Sequence, residues 1–322
     1  MSRTRSATLL VCVVLVGLVG AVPASGKPAP TPPTGRIAFA SDRLAPRFGD
    51  PGLDCLSAHC SDIYVVNTDG TGLTRLSPES LTGFQGSPTW SPDGARIAFY
   101  RTFKGFQGQP SHQIYVMNAD GSNITQITSG NQLSVLPAWS PDGTKIAFVR
   151  RPRPITYGHI AVMNPDGTGV VEITSGPNFD FRPTWSPDSS RIAFDRNCGI
   201  YVVNRDGTGL TLLVSGPGCP GDPAWSPDGT TISFWNFDLN ALQAVDVKSR
   251  EVRTIATGVQ LGGDPTVERL SNWSPDGKWL AVGACCDVGG IDLILVSADG
   301  KTILQVPNGE FAMAPAWQPA GA

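Results

Sequence analysis

"LPAWSPDGTKIAFVR", residues 136–150, holds a tryptophan, a Ser-Pro-Asp-Gly tetrad and an alternating apolar run within fifteen positions. Asp142 is either a working carboxylate or part of a turn, and repetition decides which. The arrangement recurs as "SPTWSPDG" ending at Gly94, "RPTWSPDS" at Ser189, "DPAWSPDG" at Gly229, "LSNWSPDG" at Gly277 and, altered, "APAWQPAG" at Gly321. The six tryptophans are Trp90, Trp139, Trp185, Trp225, Trp273 and Trp317, spaced 49, 46, 40, 48 and 44 residues apart. After each of the first five comes an apolar run ("RIAF", "KIAF", "RIAF", "TISF", "WLAV"). A second run such as "IYVMNADG" follows, then a third such as "ITQITSG". Short segments rich in Val, Ile, Phe, Tyr and Thr, bounded by turn residues, read as strands. The fold class is all-β.

The turns account for the acids. In Ser140-Pro141-Asp142-Gly143, proline presets φ, aspartate suits the third position and glycine accepts the positive φ that leads into the next strand. The "TDGT", "ADGS", "PDGT" and "RDGT" stretches read as Asp-Gly hairpins. Asp142 is a turn residue. The recurring tryptophans read as filler of the seams between sheets, where roughly 150–250 Å² of each ring is buried. Trp279 takes the slot of Ile97 and Ile146 and belongs to the core. Trp235 falls outside the pattern, just past a strand end, and is expected at the surface.

The chain ends decide the architecture. "RIAFASD", residues 36–42, matches the first strand after a tetrad but has no "PxWSPDG" ahead of it, whereas "APAWQPAGA" at residues 314–322 is that missing piece. Units that expose apolar faces must stack, and complementary ends let the stack close into a ring. Four strands per unit of 40–50 residues define a propeller blade. The expectation is a six-bladed β-propeller closed by pairing of N- and C-terminal strands in one composite blade.

Arg3 and Arg5 precede "ATLLVCVVLVGLVGAV" and the small-residue stretch "PASG". Residues 1–26 therefore read as a secretory signal, 27–34 as a Pro-rich linker and 35–322 as the propeller. The chain is expected to be exported, to the periplasm or beyond the cell, with no membrane span once the signal is cleaved. Formal net charge is -3, or -5 without the two signal arginines, and no basic run exists. Nucleic acid is thus excluded as a partner. A monomer without cofactors is expected.

"PAWSPDGTKIAFVR" followed by "IYVMNADGSNITQIT" resembles the repeat of TolB-type propellers, the periplasmic component of the Tol–Pal envelope system. The resemblance spans about residues 35–322. It implies that the "PxW" strand is innermost, so the tetrads and Asp-Gly hairpins share one face and the irregular loops share the other. TolB itself carries an N-terminal α/β domain, for which no segment is expected here between the signal and Arg36. No hydrolase domain of the kind joined to related peptidase propellers is expected after Ala322.

Binding residues tend to sit on variable loops carried by a rigid ring. The loop-face candidates are Arg101, Arg150, Arg182, Asp195 and Arg196, read as a charged mouth, together with Trp235. Six cysteines remain after the signal, an even number that suits disulfides in an exported chain. Cys198–Cys219 is the first pairing expected and Cys55–Cys60 the second. Cys285 and Cys286 are either a vicinal bridge or two thiols. "CLSAHC" offers Cys55, His59 and Cys60 to a metal but no fourth ligand at useful spacing, so no metal site is expected. No nucleophile elbow, zinc-protease, phosphate-loop or dinucleotide signature is present. The favoured reading is a non-catalytic propeller that binds a protein or peptide at the cell envelope. The alternative is a polysaccharide lyase, glycosidase or lactonase at the channel mouth, drawing on His112 and His159 or on an Asp180–Asp195 acid–base pair.

Overall fold

The computed structural model describes residues 34–43, 61–105, 108–152, 157–257, 271–286, 290–310 and 312–320. Within them lie six four-stranded antiparallel sheets, the blades of a propeller. Blade 1 contains β1 (Arg36–Ser41), β2 (Asp62–Asn67) and β3 (Thr74–Arg75), with the last strand, β24 (Ala312–Trp317), beside β1. Blade 2 runs β4 (Phe84–Trp90), β5 (Arg96–Lys104), β6 (Pro110–Asn118) and β7 (Thr125–Gln126). Blade 3 runs β8 (Leu133–Trp139), β9 (Ile146–Arg151), β10 (His159–Met163) and β11 (Val171–Glu172). Blade 4 has β12 (Asp180–Trp185), β13 (Arg191–Arg196), β14 (Gly199–Asn204) and β15 (Thr211–Ser215). Blade 5 has β16 (Pro220–Trp225), β17 (Thr231–Asn236), β18 (Ala241–Asp246) and β19 (Val252–Thr257). Blade 6 has β20 (Ser271–Trp273), β21 (Trp279–Cys286), β22 (Gly290–Ser297) and β23 (Ile303–Glu310).

The tryptophan-bearing strands touch one another in a closed circle: β24, β4, β8, β12, β16, β20 and back to β24. The tail closes the ring in antiparallel register, with Ile37 opposite Trp317 and Ala38 opposite Ala316. The core is divided among the seams. Each of six buried apolar clusters lies between two neighbouring blades, and each takes one of the six recurring tryptophans. Four of those indoles donate Nε1–H to the carbonyl just before the preceding blade's tryptophan. These are Trp90 to Ala316 (3.1 Å), Trp185 to Ala138 (3.0 Å), Trp273 to Ala224 (3.2 Å) and Trp317 to Asn272 (3.0 Å). Where that preceding residue is a threonine, Thr89 or Thr184, the bond is missing. Trp139 turns to the Gly143 carbonyl at 3.4 Å, and the Trp225 indole nitrogen is buried without a partner.

The tetrads form five near-identical turns. In the opening stretch Ser140 Oγ donates to Asp142 Oδ1 at 2.6 Å and accepts from Lys145 N at 2.9 Å. Asp142 Oδ1 also accepts from Thr144 N at 2.9 Å, and Arg205 of the next blade pairs with Oδ2 at 2.8 Å. Burial alone would raise the Asp142 pKa, but the hydrogen bonds from Ser140, Thr144 and Arg205 outweigh it and hold the carboxyl well below the usual range. The Asp-Gly hairpins dock on the preceding blade. Gly167, at φ +86°, packs on the Ile127 carbonyl so closely that a Cβ would overlap it. Blade 5 has "DVKSRE" in place of that hairpin, capped instead by Asp246 accepting from Lys248 N and Ser249 N. A groove of about 740 Å³ lies there, lined in part by Arg191, Asp246 and Lys248.

Trp235 corrects one expectation. The strand "TISF" continues two residues further than its pattern suggests, and Trp235 is fully buried in the seam between blades 5 and 6. Both faces of a blade are covered by neighbours, so alternation past Phe234 buries the ring rather than exposing it. Trp279 is buried, 2% exposed, in the seam between blades 6 and 1. It is Leu280, opposite Trp273, that takes the slot of Ile97 and Ile146, however, and Trp279 stands where the earlier blades have Arg96 and Lys145.

Candidate functional site

Arg101, Arg150 and Arg196 occupy one repeated position, two residues past the phenylalanine in "RIAFYR", "KIAFVR" and "RIAFDR". The structure gives them separate partners. Arg101 Nε donates to the Thr82 carbonyl at 2.7 Å, with the guanidinium over Phe103 and Tyr115. Arg150 Nη1 lies 3.2 Å from Glu172 on the outer strand of its own blade. Arg196 is buried and grips Asp180 with both Nε (2.5 Å) and Nη2 (2.8 Å). Its pKa is raised, chiefly by the hydrogen bond to Asp180.

Asp180 is fully buried and also accepts from Thr174 Oγ1 of blade 3, while His159 Nδ1 stands 3.9 Å away. This carboxylate is a clasp between blades 3 and 4, and its bonds are taken by Arg196 and Thr174. His112 Nδ1 bonds Thr102 Oγ1 of its own blade at 2.9 Å.

Arg182 and Asp195 do come together, through a device built into the inner strands. Three residues before each tryptophan and just before a proline, Ser87, Leu136, Arg182, Asp222 and Ala314 all have φ between +47° and +56°. The register slips there in every case. This is a repeated bulge, at a conformation that costs about 1–3 kcal/mol per non-glycine residue. Only in blades 4 and 5, among the described residues, is the bulged residue charged. Arg182 Nε pairs with the fully buried Asp222, and Arg182 Nη1 lies 3.5 Å from Asp195 Oδ2. Burial pushes the Asp195 carboxyl up to about 7; Arg182 opposes that and the Asp222 charge adds to it. The Cys198–Cys219 disulfide brackets the cluster, tying the loop after Arg196 to the chain that leads into β16.

Beside the cluster, Arg151 lies over the Phe181 ring at 4.7 Å. Phe181 stacks with Phe179 (6.0 Å between centroids), and Phe179 meets Tyr157 at 5.5 Å. Burial lowers the Arg151 pKa and the Arg182 charge lowers it further, against a raising contribution from Tyr100. The mouth thus carries two charged centres, both on blades 3 to 5. One pairs Arg182 with two carboxylates, and the other is Arg151 on an aromatic row.

Arg151, Asp222 and the aromatic row are functional candidates that the sequence pattern does not single out. The signal lay three residues before each tryptophan, where charged residues replace Ser, Leu or Ala. Cys55, His59 and Cys60 lie outside the described residues, as do the side chains of Cys285 and Cys286. Among the described residues no group of three His, Cys, Asp or Glu side chains is placed to hold a metal ion. No described helix is long and apolar enough to cross a membrane.

A six-bladed ring closed by its own tail, with a buried charged cluster on the loop face, defines a propeller of the repeat-built class. A profile of the TolB beta propeller domain matches residues 37–199, half of the chain, and the protein belongs to that family. TolB from Acinetobacter baumannii is similar in structure at 22% identity and a TM-score of 0.70, over 88% of this chain and 67% of that one. A chain of the nidogen/laminin complex aligns at 11% identity and TM-score 0.67, over 90% and 100% of the two chains. An oligogalacturonate lyase in complex with manganese aligns at 13% identity and TM-score 0.52, over 77% and 70%. At these identities the likeness is one of fold. A search of curated proteins finds no match.

Proposed function

We propose that this is an exported, non-catalytic propeller that binds a protein or peptide partner at the cell envelope through the loop face of blades 2 to 5. The observation that carries the reading is the contrast between faces. The hairpin-face aspartates of the described tetrads are consumed by turn hydrogen bonds, whereas the loop face holds Arg151, the Arg182–Asp195–Asp222 cluster and exposed aromatic rings. Export rests on the expected signal at residues 1–26 and on the Cys198–Cys219 disulfide, a bond suited to oxidising compartments. The test is affinity capture from envelope extracts, with Arg101→Glu and Arg150→Glu on the loop face and Lys248→Glu on the opposite face. Loss of one discrete partner from the loop-face variants alone supports the reading. Equal recovery by all three refutes it.

The Asp195 carboxyl, half-protonated near neutral pH, favours a second reading: a lyase, glycosidase or lactonase at the mouth, with Asp195 as the proton carrier. Turnover of an oligogalacturonate, aryl-glycoside or lactone panel that Asp195→Asn abolishes would establish it; no turnover by the wild type removes it.

A further inference from the structure

Resting on the partner-binding reading, we propose that Arg151 and the rings of Phe181, Phe179 and Tyr157 anchor an acidic segment of the partner protein. One carboxylate sits on the guanidinium and an apolar neighbour lies on the rings.

The charge inventory of the mouth leads to this patch. Arg182 is taken by Asp222 and Asp195, Arg196 by Asp180, Arg150 by Glu172 and Arg101 by the Thr82 carbonyl. Arg151 alone of these five has no ion pair or hydrogen bond to any described residue, and its Nε is buried without a partner. A half-buried guanidinium without an anion is costly, and the nearby Arg182 charge adds repulsion. A carboxylate from outside relieves both costs. The guanidinium Cζ stands 4.7 Å from the Phe181 ring centroid, and a guanidinium takes a carboxylate in a two-pronged contact.

The rings say what should flank that carboxylate. Among the exposed large apolar side chains of the described residues only Tyr157 (37% exposed) and Phe179 (39%) are aromatic, and they lie against each other. Their backbone is pinned beforehand. Gly158 and Phe179 form a parallel bridge, Asp180 N donates to the Gly158 carbonyl at 2.9 Å, and Asn197 Nδ2 donates to Asn178 Oδ1 at 2.7 Å. A fixed surface saves ordering entropy on binding. A polypeptide places a carboxylate and an apolar side chain side by side; an acidic polysaccharide presents a carboxylate beside a sugar C–H face, and oligogalacturonate is therefore the competitor in the test.

The experiment pans displayed random dodecapeptides on the wild-type protein. Selected sequences are then made synthetically and titrated by fluorescence anisotropy, with oligogalacturonate as a competitor. The expected peptides carry Asp or Glu next to an aromatic residue or leucine. They lose at least tenfold in affinity when the acid is changed to its amide, and at least tenfold on Arg151→Gln. Arg151→Gln also binds acid and amide peptides equally, Arg151→Lys gives an intermediate loss, and Tyr157→Ala/Phe179→Ala weakens both peptides alike. If Arg151→Gln does not fold, the acid-against-amide comparison on the wild type and on Arg151→Lys carries the test. Peptides without acidic enrichment, no selected peptides, or unchanged affinity on Arg151→Gln overturn the proposal. So does oligogalacturonate that binds more tightly than the peptides. Should this anchor fail while Arg101→Glu and Arg150→Glu still abolish capture of the envelope partner, the partner-binding reading survives it.

Discussion

Replacing Asp195 by Asn removes a carboxyl whose folded-state pKa stands at about 7, against an ordinary value of 3.8. The folded chain therefore takes up a proton that the unfolded chain lacks over roughly pH 4 to 7. For an acid raised in this way, its contribution to stability is most favourable below about pH 4, declines through the interval and is flat above about 7. A shift of about three units at ~1.4 kcal/mol each sets a ceiling of about 4 kcal/mol on the cost of ionising this group. The amide does not ionise, and Asp222 still pairs with Arg182. Asp195→Asn should thus match the wild type at pH 4 and exceed it at pH 8 by a few kcal/mol, about 5–10 °C in Tm. Calorimetry of both proteins across pH 4 to 8 measures this. The turn aspartates, with pKa values held below the usual range, titrate identically in both proteins and cancel in the difference. A stability difference independent of pH, or a wild type that gains on Asp195→Asn as pH rises, refutes the burial argument.

Removing the Cys198–Cys219 bridge, which closes a loop at a sequence separation of 21, should cost about 3 kcal/mol. Reductant should lower the wild-type Tm by more than it lowers that of Cys198→Ser/Cys219→Ser. Trp185→Phe loses an indole bond to Ala138, whereas Trp225→Phe removes a buried N–H that has no partner. Urea unfolding should show Trp185→Phe the more damaging by about 1 kcal/mol. Asp142→Ala should destabilise by about 1–2 kcal/mol and leave partner capture intact, because Asp142 holds a turn on the opposite face.

The ring was legible because its information is repeated. Six tryptophans, five tetrads and complementary ends state the same geometry several times, and strand period two does the rest. The Cys198–Cys219 neighbourhood could be read from loop order alone. What was hidden depends on contacts between blades. Arg196 looked like a mouth residue, yet the nearest acid, Asp180, draws it into the seam. Trp235 looked like a surface ring because its strand seemed to end at Phe234. Arg151 carries no local mark to separate it from Arg150; only the parity of β9 and the presence of Phe181 in the next blade set it apart.

Ring closure is the premise on which the mouth and its charges rest, and amide hydrogen exchange tests it most directly. Backbone amides of residues 312–317, as an inner strand between β1 and its neighbours, should exchange as slowly as those of β8 and β12. A tail that exchanges within seconds, while those strands stay protected, would mean that the ring is open.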